Sequence, residues 1–127
     1  MSGKVLIVDD DPTVRESLRD LLERRGISAV GAASDGNEAV SMASSLEPDV
    51  IVMDRMMPGM DGVEATRRIK ADQPATQVIL LSAQLDADVQ EQGEGLGVYC
   101  YLAKGCSDNL IADMVTRAIN LKNEFAG

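Results

Sequence analysis

Short apolar runs alternate with amphipathic stretches about five times along the chain. The runs are Val5-Leu6-Ile7-Val8, Ile27 to Ala33, Val50-Ile51-Val52-Met53, Val78-Ile79-Leu80-Leu81 and Val98 to Ala103. Four of them are nearly continuous rather than alternating, which is the pattern of parallel strands covered by helices on both faces. The stretches between them have a helical period. Asp11-Pro12 reads as an N-cap followed by proline at the first helical position, and Val14, Leu18, Leu21 and Leu22 form a stripe that closes at Gly26. Ala39, Val40 and Ala43 mark a weaker second helix ended by Pro48. Asp61 with Glu64 three residues on is a carboxylate version of the capping box, opening a third helix over Val63, Thr66 and Ile69. A fourth helix, between Asp86 and Gly97, contains Gly93 and Gly95, each costing about 1 kcal/mol against alanine in a helix interior; it is expected to be short and mobile. Ser107 caps a terminal helix with the broad stripe Leu110, Ile111, Met114, Val115, Ala118 and Ile119.

No repeat, low-complexity tract or linker interrupts this series, so residues 1–127 are expected to form one (βα)5 domain. Right-handed crossovers make that an α/β fold, a single doubly wound five-stranded parallel sheet in the flavodoxin-like order 2-1-3-4-5.

Composition narrows the function classes. The chain has 127 residues, enough to bury about two-thirds of its unfolded surface without disulfide or zinc staples. Hydrophobic residues make up 45% and charged residues 26%, the balance of a soluble globular domain. Twelve basic against twenty-one acidic residues leave a formal charge of −9, which argues against direct binding to nucleic acid or anionic membrane. The absence of histidine excludes Ser-His-Asp and Cys-His hydrolases and histidine metal sites. No apolar run reaches the roughly 18 residues of a membrane span. Met1-Ser2-Gly3-Lys4-Val5 leads straight into a charged turn, unlike a signal peptide. With Cys100 and Cys106 the only thiols, the expectation is a cytoplasmic protein in a reducing compartment.

Polar residues fall at the strand ends. The first strand is followed by Asp9-Asp10-Asp11, the third by Asp54, the fourth by Ser82 and the fifth by Lys104. In open parallel sheets ligands collect beyond the carboxyl ends of the strands, and the 2-1-3-4-5 order makes strands one and three neighbours, placing Asp54 beside Asp9 and Asp10. Carboxylates ~4 Å apart repel by about 4 kcal/mol per pair at an effective dielectric near 20. Proton uptake or a hard divalent cation relieves this, and all-oxygen ligands point to Mg²⁺. Lys104 adds an ammonium and Ser82 a hydroxyl, which completes the parts needed around a transferring phosphoryl group. Each residue alone has a plainer reading: Asp11 as a helix cap, Asp54 as a solvated loop residue and Lys104 as a surface charge, while Ser82 alone is uninformative. All four positions ending strands is what makes the pattern specific.

Four segments carry a resemblance: Val5-Leu6-Ile7-Val8-Asp9-Asp10-Asp11, Asp54-Arg55-Met56-Met57-Pro58-Gly59-Met60-Asp61-Gly62, Leu81-Ser82-Ala83 and Tyr101-Leu102-Ala103-Lys104. In this order and at this spacing, over essentially the full length, the chain resembles a receiver domain of the two-component response-regulator family. The resemblance implies phosphorylation of Asp54 by a sensor histidine kinase, a phosphotransfer protein or a small phosphodonor. It implies that Asp9, Asp10, Asp54 and the backbone carbonyl of Met56 arrange Mg²⁺ (or Mn²⁺), and that Ser82 and Lys104 hold the phosphoryl oxygens. Ser82 and Tyr101 match the family's switch pair. The face of the fourth helix, fifth strand and fifth helix would signal to an output domain or partner protein, and it serves for homodimerisation in some members. Such a domain is not a conventional enzyme but a phospho-acceptor switch that promotes its own phosphorylation and later hydrolysis. Arg55, Met56 and Gln84 flank the implied phosphoryl site. Lys104 is followed by Gly105 rather than the family's usual proline, so the resemblance does not carry a cis peptide over to this position, and Cys100 stands where a glycine is common.

Asp9-Asp10-Asp11-Pro12-Thr13 also fits the D-x-D-x-T motif of haloacid-dehalogenase-like phosphatases, with Asp9 as nucleophile and Asp11 as acid. That family needs a further strand with an acidic pair downstream of the lysine, and the motif leaves Asp54 unexplained. A second alternative is an interaction module that has the fold without phosphorylation, against which the full set Asp9, Asp10, Asp54, Ser82 and Lys104 speaks. Gly93, Gly95 and Gly97 follow a helix rather than a strand, which excludes a dinucleotide or P-loop site.

Overall fold

A computed structural model of the chain describes residues 3–83 and 95–126. The strands are β1 (Lys4–Val8), β2 (Ser28–Ala33), β3 (Val50–Asp54), β4 (Gln77–Ser82) and β5 (Cys100–Ala103). The helices are α1 (Pro12–Arg24), α2 (Gly36–Leu46), α3 (Gly62–Asp72) and the terminal helix Asp108–Ala126. Residues 84–94, which include Gln84, Gly93 and most of the expected fourth helix, lie outside the described residues; its expected end, residues 95–97, is a turn. All neighbouring strands are parallel, in the order β2-β1-β3-β4-β5.

The apolar runs of β1, β3 and β4 are buried on both faces, as their lack of alternation requires, whereas the edge strands β2 and β5 are mostly half-buried. One layer packs Val5, Ile7, Val50, Val52, Ile79 and Leu81 against α1 and the terminal helix, through Leu18, Leu22, Ile111 and Val115. The other packs Leu6, Val8, Ile51, Met53, Val78 and Leu80 against α2 and α3, through Ala39, Ala43, Ala65 and Ile69. Leu110, placed by sequence on the apolar stripe of the terminal helix, is instead exposed, while the next two residues, Ile111 and Ala112, are buried.

The caps follow the sequence closely. Asp11 accepts from Thr13 N–H at 2.9 Å, with Pro12 opening α1, and Ser107 Oγ accepts from Leu110 N–H at 3.1 Å. Asp61 accepts from Glu64 N–H at 2.8 Å, whereas the Glu64 carboxylate pairs with Arg67 and Arg68. A reciprocal cap unforeseen in the sequence opens α2: Asp35 accepts from Glu38 N–H, and Glu38 Oε1 accepts from Ser34 N–H, both at 2.8 Å. At the bottom of the sheet Asp49 accepts from Lys4 N–H at 2.7 Å and pairs with Lys122 Nζ at 2.9 Å, tying the terminal helix to the start of β3.

Candidate functional site

Three ladder hydrogen bonds extend beyond the strands and fix the polar residues at the sheet's carboxyl edge. Asp9 N–H donates to Ala33 O at 3.1 Å, Arg55 N–H to Leu81 O at 2.8 Å, and Lys104 N–H to Ser82 O at 2.8 Å. The side chains of Asp9, Asp54, Ser82 and Lys104 therefore stand on backbone as regular as the sheet itself. The adjacency of β1 and β3 brings the acids together: Asp9, Asp10 and Asp54 each offer a carboxylate oxygen, all within 4.8 Å of one another. Asp54 is in the site and not in open solvent. Asp9, Asp54 and Ser82 retain only 0%, 2% and 1% of their exposure, whereas Asp10 is exposed.

Hydrogen bonds orient these groups. Asp9 Oδ1 accepts from Asp11 N–H at 2.9 Å. Asp54 Oδ1 accepts from Met56 N–H at 3.1 Å, and Asp54 Oδ2 accepts from Lys104 Nζ at 2.8 Å. Lys104 Nζ lies 3.8 Å from Asp9 Oδ2. Burial holds the Asp9 carboxyl above its ordinary range, the Asp11 amide opposes this, and the charge of Asp54 adds to it. Burial alone would lower the Lys104 ammonium, but its hydrogen bond to Asp54 and the acidic charges outweigh that and hold it above its usual value.

This donor set fits a hard divalent cation. Asp9 Oδ2 is buried and has no hydrogen-bond partner among the described residues, the three acids each bring a carboxylate oxygen within 4.8 Å of the others, and only oxygen is offered. Such ligands suit Mg²⁺ or Mn²⁺ and not the softer metals.

The remaining residues singled out by sequence surround this centre. The Met56 side chain is 62% exposed while Met57 is buried, so the segment after Asp54 runs along the rim with one methionine anchoring it in the core. Tyr101 packs against the α2/α3 layer, and its buried hydroxyl has no hydrogen-bond partner among the described residues. Burial raises its pKa, with Arg55 nearby acting the other way. Gly105 adopts φ 89°, and no cis peptide occurs among the described residues. A groove of about 260 Å³ opens beside Lys104, lined in part by Val14, Leu18, Leu81, Cys106 and Ile111.

Sequence reasoning missed Arg15. Its guanidinium donates to the Asp9 backbone carbonyl at 2.7 Å, locking the β1–α1 turn and placing a positive charge behind the acids. The signal was available: a basic residue on the first turn of a helix that begins beside three carboxylates.

A family model described as the response regulator receiver domain matches residues 5–116. The response regulator protein VraR of Staphylococcus aureus is 39% identical over 126 residues, spanning 98% of this chain and 60% of the relative. The chain thus covers less than two-thirds of that relative's length. Among solved structures, the receiver domain of the putative response regulator NarL from Mycobacterium tuberculosis superposes with a TM-score of 0.89 at 29% identity, covering 94% of this chain and 97% of the other. CheX–CheY from Borrelia burgdorferi, solved as a complex with BeF3 and Mg²⁺, matches with a TM-score of 0.86 at 25% identity, covering 91% and 87%.

Proposed function

Because the chain belongs to the response regulator receiver family, we propose that it is a phospho-acceptor switch whose acceptor is Asp54. The observation that supports this most is the Asp54 carboxylate itself: buried, hydrogen-bonded to Lys104 at 2.8 Å, and sharing its pocket with Asp9 and Asp10.

In the proposed reaction a carboxylate oxygen of Asp54 attacks the phosphorus of a phosphohistidine on a sensor kinase or phosphotransfer protein. The new O–P bond forms as the P–N bond breaks, and the imidazole leaves with that electron pair. Lys104, already on Asp54 Oδ2, is placed to follow a phosphoryl oxygen, and Ser82 to donate its hydroxyl to another. Asp9, Asp10, Asp54 and the Met56 carbonyl would hold Mg²⁺, which when bound neutralises charge on the phosphoryl oxygens. The same residues would later admit water for hydrolysis, so the domain promotes its own phosphorylation and dephosphorylation without being a turnover enzyme.

The switch is read through Ser82 and Tyr101. The phosphoryl group draws the Ser82 hydroxyl toward it, and Tyr101, whose buried hydroxyl has no partner among the described residues, repacks on the face of β5 and the terminal helix. That face would signal to an output domain or partner protein, or to a second copy. The regulators to which the chain is similar are longer, in keeping with an effector beyond the receiver. The location proposed for this reaction is the cytoplasm; no helix among the described residues is long and apolar enough to cross a membrane.

Incubation with Mg²⁺ and a small acyl phosphate, followed by mass mapping of the phosphorylated peptide, tests the assignment. Label is expected on Asp54 and absent in Asp54→Asn; label on Asp9 would instead favour the phosphatase-like D-x-D-x-T reading.

A further inference from the structure

The loop between β3 and α3 is closed by one backbone hydrogen bond. Gly62 N–H donates to the Arg55 carbonyl at 2.8 Å, so the chain leaves Asp54, travels round residues 56–61 and returns to the peptide it left. The return is close. A Cβ on Gly62 would stand 2.5 Å from the Asp54 carbonyl oxygen and 2.9 Å from Arg55 Cα. Both are main-chain atoms and cannot rotate aside. Gly62 has no positive φ, so it is space, not backbone freedom, that calls for glycine here. Glycine is also the poorest helix former after proline, and α3 begins with it nonetheless.

The same loop is gripped from its other side. A Cβ on Gly36, the first residue of α2, would lie 2.5 Å from the Met60 carbonyl oxygen and 2.8 Å from Met60 Cβ. Two helix starts thus press on one loop. Thr66 secures the nearer one: its fully buried hydroxyl donates to Gly62 O at 2.7 Å. Between these contacts sits Met56, whose N–H holds Asp54 Oδ1.

We propose that Gly62 is a positioning residue for the Asp54 site. By admitting the Asp54 carbonyl where a side chain would otherwise stand, it sets the direction of the Arg55–Met56 peptide. That peptide carries the Met56 amide that orients Asp54, and it leads into the next peptide, whose Met56 carbonyl would face the ion. The consequence for phosphorylation rests on the reading of Asp54 as acceptor; the geometric part does not.

The test is Gly62→Ala, followed by the Met56 amide resonance in NMR spectra, by Mg²⁺ titration, and by phosphorylation from a small acyl phosphate. Gly31→Ala is the control, since its Cβ also meets atoms at 2.7 and 2.8 Å, but these are the side-chain tips of Met42 and Leu46, well away from the acids. The expected result for Gly62→Ala is a displaced Met56 amide, Mg²⁺ affinity about 10-fold weaker or more, and phosphorylation slower by on the order of 10–100-fold. Gly31→Ala should lose stability and keep all three properties. Should Gly62→Ala fail to fold, Thr66→Val is expected to show the same changes in smaller measure, with Thr66→Ser restoring them. A Met56 amide and Mg²⁺ affinity unchanged in the folded variant would overturn the proposal. If the unmodified protein takes up no phosphate at Asp54, the functional reading fails, while the Met56 amide still decides the role of Gly62.

Discussion

Replacing Asp9 by asparagine is expected to make the metal-free protein more stable. Asparagine keeps an acceptor for the Asp11 amide and removes a charge that is fully buried. The carboxylates of Asp9 and Asp54 approach within 4.8 Å, where two unit charges at an effective dielectric near 20 repel by at least about 3.5 kcal/mol. Lys104 Nζ, 3.8 Å away, offsets this by about 4 kcal/mol before screening, but its side chain is 38% exposed and solvent removes much of that attraction. Burial of the charge outweighs the compensation that the Asp11 amide and Lys104 provide, so the net gain on neutralisation is about 2 kcal/mol.

The pH dependence has a definite sign. Folding raises the Asp9 pKa above its ordinary 3.8, so the native state holds this proton more tightly than the unfolded chain does. The penalty is complete at neutral pH and fades as the pH falls through the native pKa toward 3.8. Urea denaturation of both proteins in a chelator, at pH 7 and again near pH 4.5, measures it: the advantage of Asp9→Asn should be largest at pH 7 and shrink on acidification. Added Mg²⁺ should stabilise the unmodified protein and leave Asp9→Asn nearly unaffected. A variant less stable than its parent at pH 7 in chelator, or an advantage that grows on acidification, would refute the reasoning.

Asp49 should behave in the opposite sense. Burial opposes its charge, but Lys122 and the Lys4 amide outweigh that and hold its carboxyl below the usual range; its contribution is therefore present above the ordinary pKa and lost as the pH falls through the native one. Asp49→Ala is expected to cost about 1–3 kcal/mol in urea denaturation at pH 7, with the difference from the parent narrowing near pH 3. Glu47 closes α2 at φ 48°, ψ 59°, a left-handed conformation that glycine adopts without penalty. Glu47→Gly should raise stability by about 0.5–1 kcal/mol, seen as a higher thermal midpoint. Burial pushes the Cys100 thiol up to about 11, so at pH 8 it holds on the order of 100-fold less thiolate than an unfolded cysteine. Mass-detected iodoacetamide labelling of Cys100 should accordingly be slow in the native protein and fast in urea.

Much of the fold can be read from the chain because parallel strands covered on both faces need unbroken apolar runs, and no other soluble element of four to six residues does. The caps at Asp11, Asp61 and Ser107 are equally local: each is a side chain bonding a backbone amide two or three residues away, which spacing alone reveals. The positions of Asp9, Asp54, Ser82 and Lys104 at strand ends come from the same local pattern. That four strands end in polar groups therefore belongs to the sequence by itself.

Only the folded molecule decided what those groups do to one another. Asp9 and Asp10 are consecutive and chemically identical, yet one is buried beneath Lys104 and the other exposed; which acid sinks depends on the turn that Asp11 and Arg15 lock at the end of β1. The Lys104–Asp54 bond joins residues 50 positions apart, and no local period encodes such a contact; it follows from β4 lying between β3 and β5. Gly62 shows the difference most plainly. On the sequence it is a glycine after a cap, whereas in three dimensions it is the space into which the Asp54 carbonyl fits. Hydrophobic pattern and capping are short-range and survive being written as a string, but close approach and charge burial depend on distances across the sheet, which exist only once the strands have paired.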